Sequence, residues 1–251
     1  MGELMKSTEI ISIREVKREA RQLYRGKFST AIKINILPII FAILTTMSIL
    51  MVSYGLFADL GNISQTDSDV LTTENSTLSQ IYSVLESVLS QAVQLIIVWS
   101  VSWTLIEWYE KPSERPKFND VFQIFSRGNF FHTLILTIVQ SMLLFLWTIL
   151  FVFPGIVKLF AYSQTYFAYK VDIENGTRQA QLTDYITISR RLMNGRKWEL
   201  FLLELSFIGW HILGILTAGL AYIYVVPYLN ATRVAYSRHL FTLAMVEKVS
   251  A

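Results

Sequence analysis

The sequence predicts an all-α, polytopic integral membrane protein, with six transmembrane helices in three hairpins, each hairpin preceded by an amphipathic surface helix. Three observations carry this expectation. Of 251 residues, 53% are hydrophobic and only 16% charged, against roughly 25% charged in an ordinary soluble domain, and the mean hydropathy is +0.42. Long stretches lack any Asp, Glu, Lys or Arg: Ile34 to Ala58, Ser87 to Ile106, Gly128 to Val157 and Leu205 to Thr232. Finally, Lys and Arg are confined to alternate connections, the signature of a multi-pass chain oriented by its positive charges.

The elements follow in order. Residues 12–27 read as a surface helix: Ile13, Val16, Ala20, Leu23 and Tyr24 share one helical face, while Arg14, Lys17, Arg18, Arg21 and Arg25 lie largely off it. Ser12 and Glu15 have capping-box spacing, and Gly26 is placed to end the helix. A helix of this kind is expected on the membrane surface. Residues 31–54 form the first span, and residues 55–80 an acidic extracytoplasmic loop carrying Asp59, Asp67, Asp69 and Glu74 without a Lys or Arg. Residues 81–108 form the second span.

The unit then recurs. Residues 117–128 repeat the surface helix with Phe118, Val121, Phe122 and Phe125 before Gly128, and residues 177–195 with Leu182, Tyr185, Ile186, Ser189, Leu192 and Met193 before Gly195. The apolar stretch after Gly128 is too long for one crossing. Pro154-Gly155 reads as its turn, separating spans 131–153 and 156–171. Ala218-Gly219 divides the last apolar block into spans 198–217 and 220–239. Each glycine is followed by an aromatic: Phe28, Phe130 and Trp198. The three-unit organisation resembles the parallel repeats of some transporters. Of the 22 Lys and Arg, only Lys158 falls outside the N-terminal segment, the connections at 109–130 and 170–197, and the C-terminal segment, so both termini are expected in the cytoplasm of a plasma-membrane protein.

Several residues together resemble a family. They are Pro154-Gly155-Ile156 with Lys158, the run Phe160-Ala161-Tyr162-Ser163 to Tyr166-Phe167-Ala168-Tyr169, Ser189-Arg190-Arg191-Leu192-Met193-Asn194-Gly195, Lys197-Trp198-Glu199-Leu200-Phe201, Leu205 to Trp210, and Val226-Pro227-Tyr228. They are similar to the domain-of-unknown-function 975 family of bacterial integral membrane proteins. The resemblance implies a six-span bacterial inner-membrane protein and no assigned activity. A more distant likeness, to the membrane region attached to some glycerophosphodiester phosphodiesterases, points toward lipid-related work.

Composition excludes several functions. With no cysteine, disulfides and thiolate metal sites are impossible. The sequence pI near 9.0 does not indicate a nucleic-acid partner, because the positive charge is dispersed over membrane-flanking segments. His132, His211 and His239 lack metal-ligand spacing, and no HExxH, Walker or GxSxG motif is present. No catalytic residue, cofactor or metal is therefore expected.

Ionisable groups within spans are costly and mark candidate sites. Glu204, about two turns into the fifth span, and Arg233, at comparable depth in the sixth, form a candidate intramembrane pair, either a structural lock or a polar site for a substrate or lipid headgroup. Lys158 is the candidate outer-face cation, snorkelling to phosphates, pairing with Glu86 or contacting a substrate. Arg14, Lys17, Arg18, Arg21 and Arg25 are candidate lipid-surface cations for anionic inner-leaflet headgroups. The function expected is non-enzymatic: binding or organising membrane lipids, protein partners or further copies of the chain. A small-solute transporter or channel is the alternative, with an intramembrane enzyme behind it.

Overall fold

A computed structural model of the chain describes residues 10–62, 77–126, 129–177 and 181–250. Most of the acidic loop and Arg127-Gly128 lie outside the described residues. Those described form helices and connections, with no strand. Four helical stretches are long and apolar enough to cross a membrane: Ile36–Ala58, Gln80–Glu110, Phe130–Leu150 and Lys197–Leu216.

Helix α1 (Ile13–Tyr24) begins where expected, but not through a capping box: the Ser12 carbonyl accepts the Glu15 and Val16 amides, each at 3.1 Å, and its side chain makes no cap bond. Gly26 adopts φ +70° and ends the helix. The main correction concerns the apolar face of α1. Val16, Ala20, Leu23 and Tyr24 are buried, and what covers them is the C-terminal helix α12 (Tyr222–Ser250), not the bilayer. The two run antiparallel, with Glu19 bonded to His239 and Tyr24 to the Pro227 carbonyl. Twelve residues separate these positions on α12, about 18 Å of helix. Periodicity reveals that a face is apolar; it does not reveal what covers it.

Helices α2 (Phe28–Ile34) and α3 (Ile36–Asn62) are one expected span with an interruption at Asn35. Pro38 explains it, since it has no N–H to donate to the Ile34 carbonyl. Helix α4 (Thr77–Glu110) follows. The second surface element is a 3-10 turn, Phe118–Phe122, continuing into α5 (Gln123–Ser126). It packs on α4 through Val121 and Ile124, both buried, and through Thr104, whose hydroxyl donates to the Asp120 carbonyl at 3.0 Å. Phe118, Phe122 and Phe125 stay exposed and stack in sequence toward Phe130 and Phe131.

Helix α6 (Phe130–Leu150) reverses into α7 (Val152–Ala161) at Phe151, whose backbone is extended. The turn thus precedes Pro154-Gly155. Pro154 lies in the first turn of α7, where a missing N–H costs nothing. Gly155 serves close packing instead, because a Cβ there would lie 2.7 Å from Thr148 Oγ1. Helix α8 (Thr165–Glu174) continues after a break at residues 162–164, and α9 (Thr183–Leu192) closes that break: Ser189 Oγ donates to the Ala161 carbonyl at 2.8 Å and accepts the Gln164 amide at 3.0 Å. Helices α10 (Lys197–Leu205) and α11 (Ile208–Leu216) meet at Ser206-Phe207. The expected turn at Ala218-Gly219 is present, with φ +49° and +93°.

The core is concentrated at the end of the bundle that carries the basic connections. Trp99, Trp103 and Trp108 of α4, with Tyr169, Tyr185 and Tyr236, are buried there. The other ends are open: Ile49 to Phe57 of α3 and Ile81 to Leu89 of α4 present mostly exposed apolar side chains, as surfaces solvated by acyl chains do.

Gly155→Ala is expected to destabilise the α6–α7 hairpin by about 1–3 kcal/mol through overpacking, read as a lowered thermal midpoint in detergent. Gly55→Ala, whose Cβ meets nothing within 4 Å, is the control and causes no loss.

Candidate functional site

Glu204 and Arg233 meet. Arg233 Nε donates to Glu204 Oε1 at 2.6 Å and a terminal nitrogen donates to Oε2 at 2.7 Å, a bidentate clamp between α10 and α12 that uses the planar fork of the guanidinium. The side chains retain 41% and 23% exposure for Arg233 and Glu204. Nearby, Glu199 pairs with Arg196 at 3.3 Å. With both carboxylate oxygens of Glu204 engaged by a cation, the pair is arranged to join helices.

A second polar cluster was not legible from spacing. Lys170, 1% exposed, donates to Glu107 at 2.7 Å and Gln123 at 3.2 Å, and pairs with Glu174 at 3.0 Å. Its ammonium also lies 5.2 Å from the Trp103 ring centroid. Three elements, α4, α5 and α8, converge on one buried cation. The only sequence signal was the i,i+4 pair Lys170 and Glu174, which reads equally well as a solvated helix end. Polar groups inside the bundle are similarly matched: Asn230 Nδ2 donates to Asn35 Oδ1 at 2.8 Å, and Asn35 Nδ2 to the Ala31 carbonyl at 2.9 Å. Gln140 Oε1 and Gln164 Oε1 are buried without a partner among the described residues.

The five cations of α1 divide. Lys17 donates to the Ser206 carbonyl at 3.2 Å and lies 4.2 Å from the Phe207 ring centroid. It therefore satisfies the backbone freed by the α10–α11 break. Burial, followed by the charge of Arg21, pushes its amine below the ordinary lysine range. Arg14, Arg18, Arg21 and Arg25 are exposed. Arg21 and Arg25 frame a cavity of about 350 Å³ whose other walls are Tyr24, Phe28, Tyr224 and Tyr228. The aromatic rings form a connected wall, with Phe28 5.3 Å from Tyr224 and Tyr224 6.0 Å from Tyr228. Burial raises the Tyr24 hydroxyl well above the usual tyrosine range, so it stays protonated as the donor to Pro227. Among the described residues no carboxylate lines this cavity. Two guanidinium groups above an aromatic floor can hold an anionic group whose attached chain is apolar.

Lys158 is not the isolated outer cation that the charge count suggests. No ion pair with Glu86 forms among the described residues. Its ammonium lies 4.3 Å from the Trp147 ring centroid, and the same side chain lines a cavity with Arg190, Arg191 and Lys197 from the basic connection. The reason is local: α7 is only ten residues long, and α9 folds back onto its end through Ser189. The histidines are dispersed, with His239 on Glu19 and His211 3.3 Å from the Tyr222 hydroxyl. Among the described residues no group of His, Asp and Glu could hold a metal ion.

Lys170→Met is expected to cost on the order of 3 kcal/mol of unfolding free energy in mixed micelles, because it removes the fully buried cation that ties α4, α5 and α8 together. Glu204→Gln costs less, about 1–2 kcal/mol, since that pair is partly exposed. A larger loss at Glu204 than at Lys170 contradicts this assignment.

No curated protein and no solved structure matches the chain. A family does: residues 155–244, from the close-packed Gly155 through the Glu204–Arg233 clamp into α12, match the model of the family described as a protein of unknown function (DUF975).

Proposed function

We propose that the chain is a non-enzymatic, six-span protein of the bacterial plasma membrane, with both termini cytoplasmic, that binds anionic phospholipid headgroups and so organises lipids or partner proteins around it. Four crossings are the stretches long and apolar enough to span. The other two are their return legs, α7–α8 after α6 and α12 after α11. The exposed arginines of α1 avoid hydrocarbon, which puts the headgroup layer along the α1–α12 contact, from Tyr24 on Pro227 to Glu19 on His239.

One observation carries the lipid reading. The Arg21 and Arg25 cavity joins two cations without an acidic neighbour to an aromatic wall at the start of the first span and on α12. A soluble anion needs no such wall; a headgroup at the interface meets both halves. The engagement of Glu107 and Glu204 by cations and of Glu19 by His239 supports a structural rather than catalytic use of these acids. A transport reading draws on the interrupted helices at Asn35, 162–164 and 206–207, which are features of transporter cores. Two of those breaks are closed here by Ser189 and Lys17, which favours a static bundle.

Two measurements test this. Full-length protein purified from vesicles of phosphatidylglycerol and phosphatidylcholine is expected to retain phosphatidylglycerol by native mass spectrometry. The double variant Arg21→Gln, Arg25→Gln should weaken retention by roughly tenfold or more; unchanged retention refutes the site. In the naturally cysteine-free chain, Gln80→Cys should react with an impermeant maleimide from outside intact cells and Thr242→Cys only after permeabilisation. The reverse pattern contradicts the topology.

A further inference from the structure

Between α7 and α9 lies a cavity of about 400 Å³ into which four cations converge: Lys158, Arg190, Arg191 and Lys197. Thr187 and Asn194 add uncharged polar groups to its wall, and among the described residues no carboxylate lines it. None of the four cations has an ion-pair partner among the described residues. Lys158 is also within electrostatic reach of both Arg190 and Lys197. Gathering like charges in a partly dehydrated recess is unfavourable, and among the described residues no carboxylate pairs with them, the Trp147 ring beneath Lys158 being an uncharged partner. The cluster is nonetheless held in place. Ser189, fully buried, is bonded to both sides of the α7–α8 break, so Arg190 and Arg191 are fixed beside the end of α7.

We propose that this cluster is a binding site for a phosphate group, and that the phosphate belongs to an anionic phospholipid. The cations supply charge-assisted donors for phosphate oxygens, with arginine able to engage two at once. The surroundings select the lipid source. Ile156 and Leu159 on α7 and Trp198 on α10 are large apolar side chains left 48%, 52% and 65% exposed around the cavity's elements, a surface for acyl chains beside the headgroup. The site is separate from the α1 cavity, sharing no residue with it. It rests on the reading that the chain is membrane-embedded and binds anionic lipid, and extends that reading to a second place in the fold.

The test uses the full-length protein with phosphatidylglycerol and phosphatidylcholine vesicles, native mass spectrometry reporting bound lipid, and inorganic phosphate and glycerol 3-phosphate as soluble competitors. Lys158→Gln combined with Arg190→Gln is expected to lower phosphatidylglycerol occupancy at least about tenfold, whereas Lys158→Arg retains it. Arg191→Gln alone, on an exposed residue, should give a smaller loss in a protein with an unchanged melting transition. Equal occupancy in wild type and the double variant overturns the proposal, and if Arg21→Gln, Arg25→Gln still lowers binding the α1 reading survives. Failure of both double variants overturns both. Displacement of lipid by inorganic phosphate at matched concentration overturns the lipid assignment in favour of a soluble phosphate site.

Discussion

A backbone that breaks its helices within an apolar solvent must find hydrogen bonds elsewhere in the protein, and this requirement organises the molecule. The carbonyl and amide freed at the α7–α8 break both go to Ser189. The Ser206 carbonyl at the α10–α11 break goes to Lys17, and Tyr24 adds a donor to the Pro227 carbonyl inside the unbroken α12. Each donor comes from a helix outside the span it serves. In hydrocarbon an unsatisfied group costs several kcal/mol, so α1 and α9 cannot drift on the membrane surface; they are structural members of the bundle.

That arrangement separates the two ends of the protein. At the basic end, helices, surface elements and ion pairs pack around buried aromatics, with Lys170 binding α4, α5 and α8 together and His239 with Glu19 tying α12 to α1. At the other end α3 and α4 leave their apolar side chains open. The packed end is also where cations without acidic partners collect. Two helices whose apolar faces are spent on internal packing have only their charged faces left to offer, and arginines of α1 and α9 frame the two acid-free cavities.

Much of this was legible in the sequence. Composition and charge-free runs announced apolar helices, and left-handed glycines at 26, 195 and 219 marked where helices end. Counting turns from each flank brought Glu204 and Arg233 to one level, where they meet. The errors share a physical origin. Pro154 is a breaker in a helix interior but neutral in a first turn, so the reversal fell earlier, at Phe151. Apolar periodicity in α1 fits a bilayer and a neighbouring helix alike. Lys158 was placed by counting along the chain, which cannot register a helix folding back across it. Lys170 was counted as a flanking charge because its partners, Glu107 and Gln123, are remote in sequence.

The central claim is that this end of the molecule is built to hold anionic lipid. The most direct measurement is the phospholipid composition of patches extracted with the unmodified protein from its native membrane, compared with bulk membrane. The account predicts enrichment of anionic phospholipid that declines as salt is raised. Patches with bulk composition at low salt would contradict it and leave the two cationic cavities to a soluble or protein partner.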